Sequence, residues 1–332
     1  MSNTQAKIVM TGPTGVGKTS LLAAMYPLQE KRFPSGDYKL VPEENTRKVL
    51  DDMRDSLAKL GEGGIKVKDR IITGTLQAQE FNFDLQYTGE GKNETDVSIQ
   101  IFDIPGAYCT DGGGTRAQTY LTGSDISFWC IDCVALMENG GQYNEAVNAP
   151  NAMADCIRNS QLNAGHNVCL VLMRSEKWEQ DGKMDSLFAE FKKQFGAAIA
   201  ALRSNTNIGR IFYCSIQTTG NLRFTYYTEV QSGIQGEYIR HSDKTYKPEH
   251  CELPVLCAVS RSLTTAVNEA TDAIRKMYIE CPPFFRWIPP WSWAFNRKME
   301  IIIRLSRRLD RVAKDISEHL KSEEKDKRLF EW

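Results

Sequence analysis

The sequence predicts an α/β protein, with a mostly parallel sheet that includes one antiparallel strand, flanking helices and a C-terminal helical appendage. Two observations predict this fold. Apolar strand-like runs alternate with segments of helical periodicity, which is typical of a parallel sheet covered by helices. A glycine-rich loop, GPTGVGKT, separates the first strand-like run, Lys7–Gly12, from the first helical segment, Lys18–Tyr26. The first strand therefore leads through a tight loop into a helix.

The 332 residues are enough for one main domain with additions. We expect a nucleotide-binding domain over 1–280, with insertions near 42–64 and 218–254, and an appendage over 281–332. The first insertion has helical spacing over Pro42–Leu60 and ends at GEGG. The second is rich in Tyr, Thr, Gly and charged residues and shows no helical period. It is predicted to leave the main sheet.

The remaining elements follow in order. EFNFDLQY (80–87) alternates apolar and polar residues and is predicted to form an antiparallel hairpin with VSIQIFD (97–103). Further strands are expected at 125–132, 167–173 and 210–216, and helices at 143–161, 183–203 and 260–277.

Composition excludes several classes of function. The net charge is −1, so no broad affinity for nucleic acid is expected. No apolar run reaches the roughly 18 residues of a membrane helix. Nine cysteines without framework spacing suit reduced thiols, and a cytoplasmic protein is expected. Cys130 and Cys133 are interpreted as small buried hydrophobic residues rather than metal ligands.

The loop Gly12–Thr19 matches G-x-x-x-x-G-K-[ST] in full and has the strand and helix that the motif requires. Its glycines allow backbone N–H groups to surround phosphate oxygens, and the following helix directs its positive end there. Lys18 is predicted to reach the β and γ phosphates, and Thr19 to bind Mg²⁺. The phosphate-binding residues are Gly12, Thr14, Gly15, Val16, Gly17, Lys18, Thr19 and Ser20.

A second motif, IQIFDIPG (99–106), places Asp103 at the carboxyl end of a strand, where its carboxylate can hold magnesium. Gly106 follows three residues later. A glycine there lets its backbone N–H approach a γ-phosphate without a side chain in the way.

These two motifs resemble those of the GTPases of the translation-factor class, which includes the Ras-like small GTPases. The resemblance implies a threonine, in a mobile segment between the motifs, that caps the magnesium ion. Thr73 and Thr75 are the candidates, and Thr75 is preferred because a strand follows it closely. The segments 60–75 and 106–119 are then expected to become ordered when the γ-phosphate is present.

The same resemblance locates the base site. The family reads guanine with N/T-K-x-D after a late strand, where this chain has Met173-Arg174-Ser175-Glu176. Arg174 can cover the base and Glu176 presents two acceptors. Ser215 aligns with the family's last guanine-contacting loop. Glu176 is one methylene longer than the aspartate of the family motif, so binding of ATP is left open beside binding of GTP or GDP.

The residue that orients the attacking water in the family commonly follows the D-x-x-G glycine, and here it is Ala107. Slow intrinsic hydrolysis is expected, because alanine cannot position water. Arg116, or an arginine of a partner, is a candidate for stabilising the transition state, and a solvated helix residue is the alternative for Arg116. The order of elements most resembles bacterial double-GTPase-type domains, which are often encoded beside effector genes in conflict and defence systems.

The appendage begins with CPPFFRWIPPWSWAF (281–295), in which prolines exclude a spanning helix. A helix with one apolar seam follows over 302–320, and KSEEKDKRLFEW is predicted to be a solvated end. Packing on the domain or on a protein partner, self-association and contact with a membrane surface are the alternatives.

The predicted function is a GTP-hydrolysing switch that regulates a protein partner through its switch segments and C-terminal helix. The alternatives are a nucleotide-binding interaction module with little turnover and an ATP-dependent phosphotransferase. The latter would need an arginine-rich lid, for which 218–254 offers only Arg223 and Arg240.

Overall fold

A computed structural model describes residues 4–25, 36–60, 66–68, 77–89, 94–110, 114–230, 233–240, 245–280, 291–325 and 329–331. Two sheets lie within these residues. The main sheet has the strand order β11-β8-β7-β6-β1-β5-β4-β2, and a smaller sheet has the order β3-β10-β9. The strands are β1 Thr4–Thr11, β2 Tyr38–Pro42, β3 Lys66–Lys68, β4 Gln79–Tyr87, β5 Glu94–Asp103, β6 Ile126–Asp132, β7 His166–Met173, β8 Ile208–Ser215, β9 Leu222–Val230, β10 Gly233–Arg240 and β11 Leu329–Glu331.

Helices cover both faces of the main sheet. They are α1 Lys18–Met25, α2 Glu44–Leu60, α3 Ala107–Thr110, α4 Thr115–Leu121, α5 Cys133–Met137, α6 Asn144–Asn148, α7 Pro150–Asn159, α8 Glu176–Gln180, α9 Met184–Gln194, α10 Gly196–Ser204, α11 Leu253–Glu280 and α12 Trp291–Lys325, with a 3₁₀ turn at Glu138–Gly141. None of the helices in these ranges is both long and apolar enough to cross a bilayer.

The centre of the main sheet is parallel. β8, β7, β6, β1 and β5 run in one direction, and every residue of β6 and β7 is buried. Strands that are covered by helices on both faces require such continuous apolar sequence. The predicted α/β fold, a mostly parallel sheet with flanking helices, is confirmed.

The edges of the sheet are antiparallel. β4 pairs with β5 as the alternating pattern predicts, with Phe81, Phe83 and Leu85 buried on one face. β2 extends this edge beyond β4, and β11 pairs antiparallel with β8 at the opposite edge. The prediction that the tail is solvated is therefore wrong for β11, because Leu329 is buried in the core.

Two of the expected helices are interrupted. The helix expected over 143–161 consists of α6 and α7, separated by Ala149, whose φ is 47°. Pro150 explains the break, because its ring clashes with the preceding residue and disfavours helical conformation there. The helix expected over 183–203 is divided between α9 and α10 at Phe195.

The tract 218–254 leaves the main sheet, as expected. Its strands β9 and β10 form an antiparallel hairpin, and β3 adds to the edge of β10. Phe224 and Tyr238 pack edge to face across this hairpin, with ring centroids 5.6 Å apart. The small sheet thus turns an aromatic face toward the main domain.

The last helix, α12, packs on α11 and on the main core. Leu309, Val312, Ile316 and Leu320 are buried, as the apolar seam predicts. Arg308 forms ion pairs with Glu94 and with the buried Asp96 at the start of β5. Charge pairing and apolar packing therefore attach the middle and end of α12 to the domain.

Candidate functional site

The glycine-rich loop connects β1 to α1 at the carboxyl edge of the parallel strands, where sites of α/β sheets form. Gly12, Gly15 and Gly17 have φ values of 139°, 79° and 103°. A Cβ at Gly12 would lie 2.3 Å from the backbone oxygen of Cys130. Only glycine fits this position, since it needs positive φ and has no space for a side chain.

Lys18 is buried inside the loop. Its Nζ donates hydrogen bonds to the carbonyl oxygens of Gly12, at 3.1 Å, and Pro13, at 3.2 Å. These bonds hold the ammonium group over the concave side of the loop, where a phosphate oxygen would replace a carbonyl as its acceptor. Val16 is buried, Ser20 is half-buried, and Thr14 is exposed.

The predicted metal ligands of the two motifs are in direct contact. The Thr19 hydroxyl donates to Asp103 Oδ2 at 2.7 Å, and both side chains are buried. The contact joins the start of α1 to the end of β5, which are 84 residues apart in sequence. A hydroxyl and a carboxylate are the hard oxygen donors that Mg²⁺ prefers.

Gly106 lies against the phosphate loop. A Cβ at this position would be 2.4 Å from the backbone nitrogen of Thr14 and 2.6 Å from the carbonyl oxygen of Gly12. Two stretches of backbone therefore touch here, and any larger residue would push them apart. The structure brings the D-x-x-G glycine to the loop, as its predicted role as a sensor requires.

A cavity of 340 Å³ adjoins this contact. One side is formed by the loop and by Gly106 and Ala107, and the far side is apolar, with Trp129, Met153 and Phe195. Ala107, which has no hydrogen-bonding group in its side chain, lines this cavity.

Arg174 connects three parts of the site. Its guanidinium donates to Asp132 Oδ2 at 3.0 Å and to the carbonyl oxygen of Gly15 at 2.5 Å, and it lies 5.5 Å from the centre of the Tyr238 ring. The φ of Arg174 is 60°, a conformation that strains a residue with a side chain. These contacts fix the side chain between the phosphate loop and the small sheet.

Glu176 begins α8 and is only 7 % exposed. Burial is the main reason that the pKa of its carboxyl rises to about 7; a backbone hydrogen bond and the charge of Arg174 oppose the rise, and the charges of Glu179 and Asp132 add to it. The predicted base reader is therefore a carboxyl that titrates near neutral pH.

Ser215 lies at the end of β8. Its hydroxyl donates to Ser175 Oγ at 2.8 Å, and Ser175 Oγ donates to the Ile216 carbonyl oxygen at 3.3 Å. The two segments predicted to contact the base are thus linked to each other.

Arg116, the candidate for stabilising the transition state, lies on α4. Arg116 is exposed on α4, and its guanidinium lies 5.5 Å from the centre of the Tyr108 ring. Thr73 and Thr75 lie outside the described residues, and so do parts of both expected switch segments.

Two residues of the site were missed from the sequence. Asp132 ends a buried strand, and this signal could have identified it, because the carboxyl ends of parallel strands meet at one edge. Tyr238 gave no such signal, since its position over Arg174 depends on the register of β9 and β10. Cys130 and Cys133 are buried as interpreted, and burial raises the pKa of the Cys130 thiol to about 12.

No model of a known protein family matches this sequence, and no curated protein matches it. Among solved structures, the GTP-bound GTPase-like domain of S. cerevisiae Ski7 is 13 % identical, with a TM-score of 0.32 and coverage of 64 % of this chain and 42 % of that chain. An Aquifex aeolicus Era variant with GDP and AlF₄⁻ is 13 % identical, with a TM-score of 0.30 and coverage of 64 % and 51 %.

The conserved domain of a dynein light intermediate chain is 11 % identical, with a TM-score of 0.27 and coverage of 64 % of this chain and 68 % of that chain. This chain spans about half of the Era chain and less of the Ski7 chain. With TM-scores near 0.3, these neighbours assign neither a family nor a function.

Proposed function

We propose that this protein binds a magnesium–nucleoside triphosphate at Gly12–Ser20, prefers guanine, and hydrolyses the γ-phosphate slowly as a switch that regulates a protein partner. The observation that carries the proposal is the meeting of Thr19, Asp103 and Gly106 at the phosphate loop. A metal-binding pair and a close backbone contact at one loop are what γ-phosphate detection requires.

Thr19 and Asp103 would hold the metal. Bound Mg²⁺ would neutralise charge on the phosphate oxygens, and Lys18 would add a positive charge from the opposite side. The loop's backbone N–H groups supply the remaining donors. Gly106 would sense the γ-phosphate through its backbone, and Thr75 is proposed to close over the metal from the first switch segment.

Arg174, Glu176 and Ser215 would form the base site. Arg174 is already fixed by Asp132 and the loop, so it can cover a base face with little loss of conformational freedom. An ionised Glu176 accepts hydrogen bonds only, which matches the N1–H and amino donors of guanine. A protonated Glu176 can donate one bond, which would allow adenine.

Slow turnover follows from Ala107, which lacks a group to orient water. This feature also favours the alternative of an interaction module that binds nucleotide with little turnover. Phosphotransfer gains no support from the fold, because Arg223, one of the two lid arginines, is held by Asp181 at 2.8 Å. A partner would supply the missing catalytic group, and a protein encoded nearby in a bacterial defence system is the partner we propose to test.

The test is nucleotide analysis of the purified protein, followed by affinity and turnover measurements with GTP and ATP. Lys18→Ala is expected to reduce triphosphate affinity by about a hundredfold or more, because a charge-assisted contact is lost in a preorganised site. Lys193→Ala, at an exposed lysine of α9, is the matched control. An unchanged affinity in Lys18→Ala would refute the proposal.

A second variant separates the switch from the static module. Ala107→Gln restores a side chain that can orient water, so GTP hydrolysis is expected to rise while affinity stays constant. A static module would hydrolyse neither nucleotide in either form, and a phosphotransferase would consume ATP only with an acceptor present.

A further inference from the structure

The helix pair α11–α12 extends beyond the main sheet. β5 runs from Glu94 at one edge to Asp103 at the nucleotide edge, and Arg308 of α12 binds Glu94 and Asp96. Arg308 therefore lies at the edge opposite the phosphate loop. Further along α12, Glu323 lies 3.7 Å from His250, three residues before the start of α11.

Part of each helix continues past this edge. In α12, residues 291–307 precede Arg308 and span about 25 Å at 1.5 Å per residue. Within this stretch Ile302 is buried and Leu305 packs against the main core, so the exposed described side chains lie mainly before Ile302. In α11, the last buried residue is Ala270, and residues 271–280 span about 15 Å beyond it. We call residues 271–280 and 291–307 the arm.

The arm carries most of the exposed large apolar side chains of the described chain. Tyr278 is 56 % exposed, Ile279 70 %, Trp293 68 % and Ile301 56 %. Only Val49 and Tyr226 are in the same class elsewhere in the described residues. Trp293 and Ile301 are eight residues apart, so they lie on one side of α12. Such clustering on a projecting element indicates an interaction site.

The arm is also basic. It contains six Lys or Arg and three Asp or Glu, although the whole chain has a net charge of −1. The Arg297 guanidinium lies 5.7 Å from the Trp293 ring centre, one helical turn away. The connecting residues 281–290 lie outside the described residues.

We propose that the arm docks on a membrane surface that contains anionic lipid. Trp and Tyr favour the boundary between head groups and acyl chains, because one part of each ring system is apolar and the other forms hydrogen bonds. Arg275, Arg297 and Lys298 would bind lipid phosphates, and Ile279 and Trp293 would enter the boundary. In this orientation the nucleotide edge faces away from the lipid.

The test is co-sedimentation of the full chain with vesicles of phosphatidylcholine alone or with 30 % phosphatidylserine. The protein is expected to bind the anionic vesicles about tenfold more tightly, and 0.5 M salt is expected to remove the difference by screening. The double variants Ile279→Ser/Trp293→Ser and Arg297→Glu/Lys298→Glu should each lose about tenfold in binding to anionic vesicles.

Tyr226→Ser, at an exposed tyrosine of β9, is the matched control and should bind as the wild type does. An unchanged melting temperature and nucleotide affinity in each variant would show that the fold is intact. The lipid-binding result can then be interpreted independently of the proposed nucleotide chemistry. Equal binding to both vesicle types, or wild-type binding by either double variant, would overturn the proposal. If the double variants lost self-association and kept lipid binding, the proposal would be overturned, and the arm would instead bind a second copy of the chain.

Discussion

Glu176 makes the base preference of this protein depend on pH. Burial raises the pKa of the carboxyl to about 7. With that pKa, roughly a tenth of the carboxyls are ionised at pH 6 and roughly nine tenths at pH 8. Guanine needs the ionised form, because both of its facing groups are donors, whereas the protonated form can pair with the donor and acceptor of adenine. The GDP-to-ADP affinity ratio should therefore rise about tenfold or more between pH 6 and pH 8.

Titration of fluorescent GDP and ADP at each pH measures the ratio. Because both nucleotides carry the same phosphates, titration of the phosphates cancels. Glu176→Gln cannot ionise and should give a ratio that does not change with pH. A carboxyl with an ordinary pKa would be ionised at both pH values, so a wild-type ratio constant within about twofold would refute the reasoning.

Three further predictions concern stability and the γ-phosphate contact. The carboxyl of Glu176 has a pKa of 4.5 in the unfolded chain and about 7 in the folded protein, so ionisation of this group should lower the stability of the wild type as pH rises through that window. Glu176→Gln avoids this cost and should be more stable than the wild type by about 3 kcal/mol at pH 8, as measured by urea unfolding. If the stability difference between Glu176→Gln and the wild type were the same at pH 4 and pH 8, this prediction would be contradicted. Gly106→Ala would place a Cβ in overlap with the phosphate loop, so it should lower the melting temperature by an amount equivalent to about 1–3 kcal/mol. It should also abolish the difference in affinity between GTPγS and GDP. An affinity ratio equal to that of the wild type would disprove the contact. Arg308→Ala leaves the buried Asp96 without its cation and should destabilise by about 3–5 kcal/mol, whereas Arg304→Ala, in an exposed pair, should change stability by less than about 1 kcal/mol; equal effects would rule out an anchoring role for Arg308.

The phosphate loop and its magnesium partners could be predicted because their signals are local. Gly12, Lys18 and Thr19 lie within eight residues, and Asp103 ends an apolar strand. Each position follows from the strand, loop or helix on either side. The parallel centre of the sheet was predictable for the same reason, since its strands are continuous apolar runs.

The rest of the site depends on contacts between distant residues. Arg174 contacts Asp132 and Tyr238 only because the fold brings β6, β7 and β10 close together. The sequence pattern predicts each strand but not how the three strands are placed relative to one another. The burial of Glu176 likewise results from packing around α8. The position of Glu176 in the motif after β7 was enough to identify the residue. Its raised pKa could not be predicted, because it results from burial in the fold.

Short edge strands escaped prediction for another reason. β2 and β11 have five and three residues, too few for alternation to be recognised. Ala149 is the opposite case, because the following proline already indicated a break between α6 and α7.

The pairing of β11 with β8 has a consequence for synthesis of the chain on the ribosome. More than a hundred residues separate the two strands, and Leu329 aligns with Cys214. Until residues 329–331 emerge, the backbone groups along the outer side of β8 remain open to pairing with another polypeptide. Nascent chains that stop short of β11 should therefore aggregate through this strand, so the final pairing protects the newly made protein as well as extending its sheet.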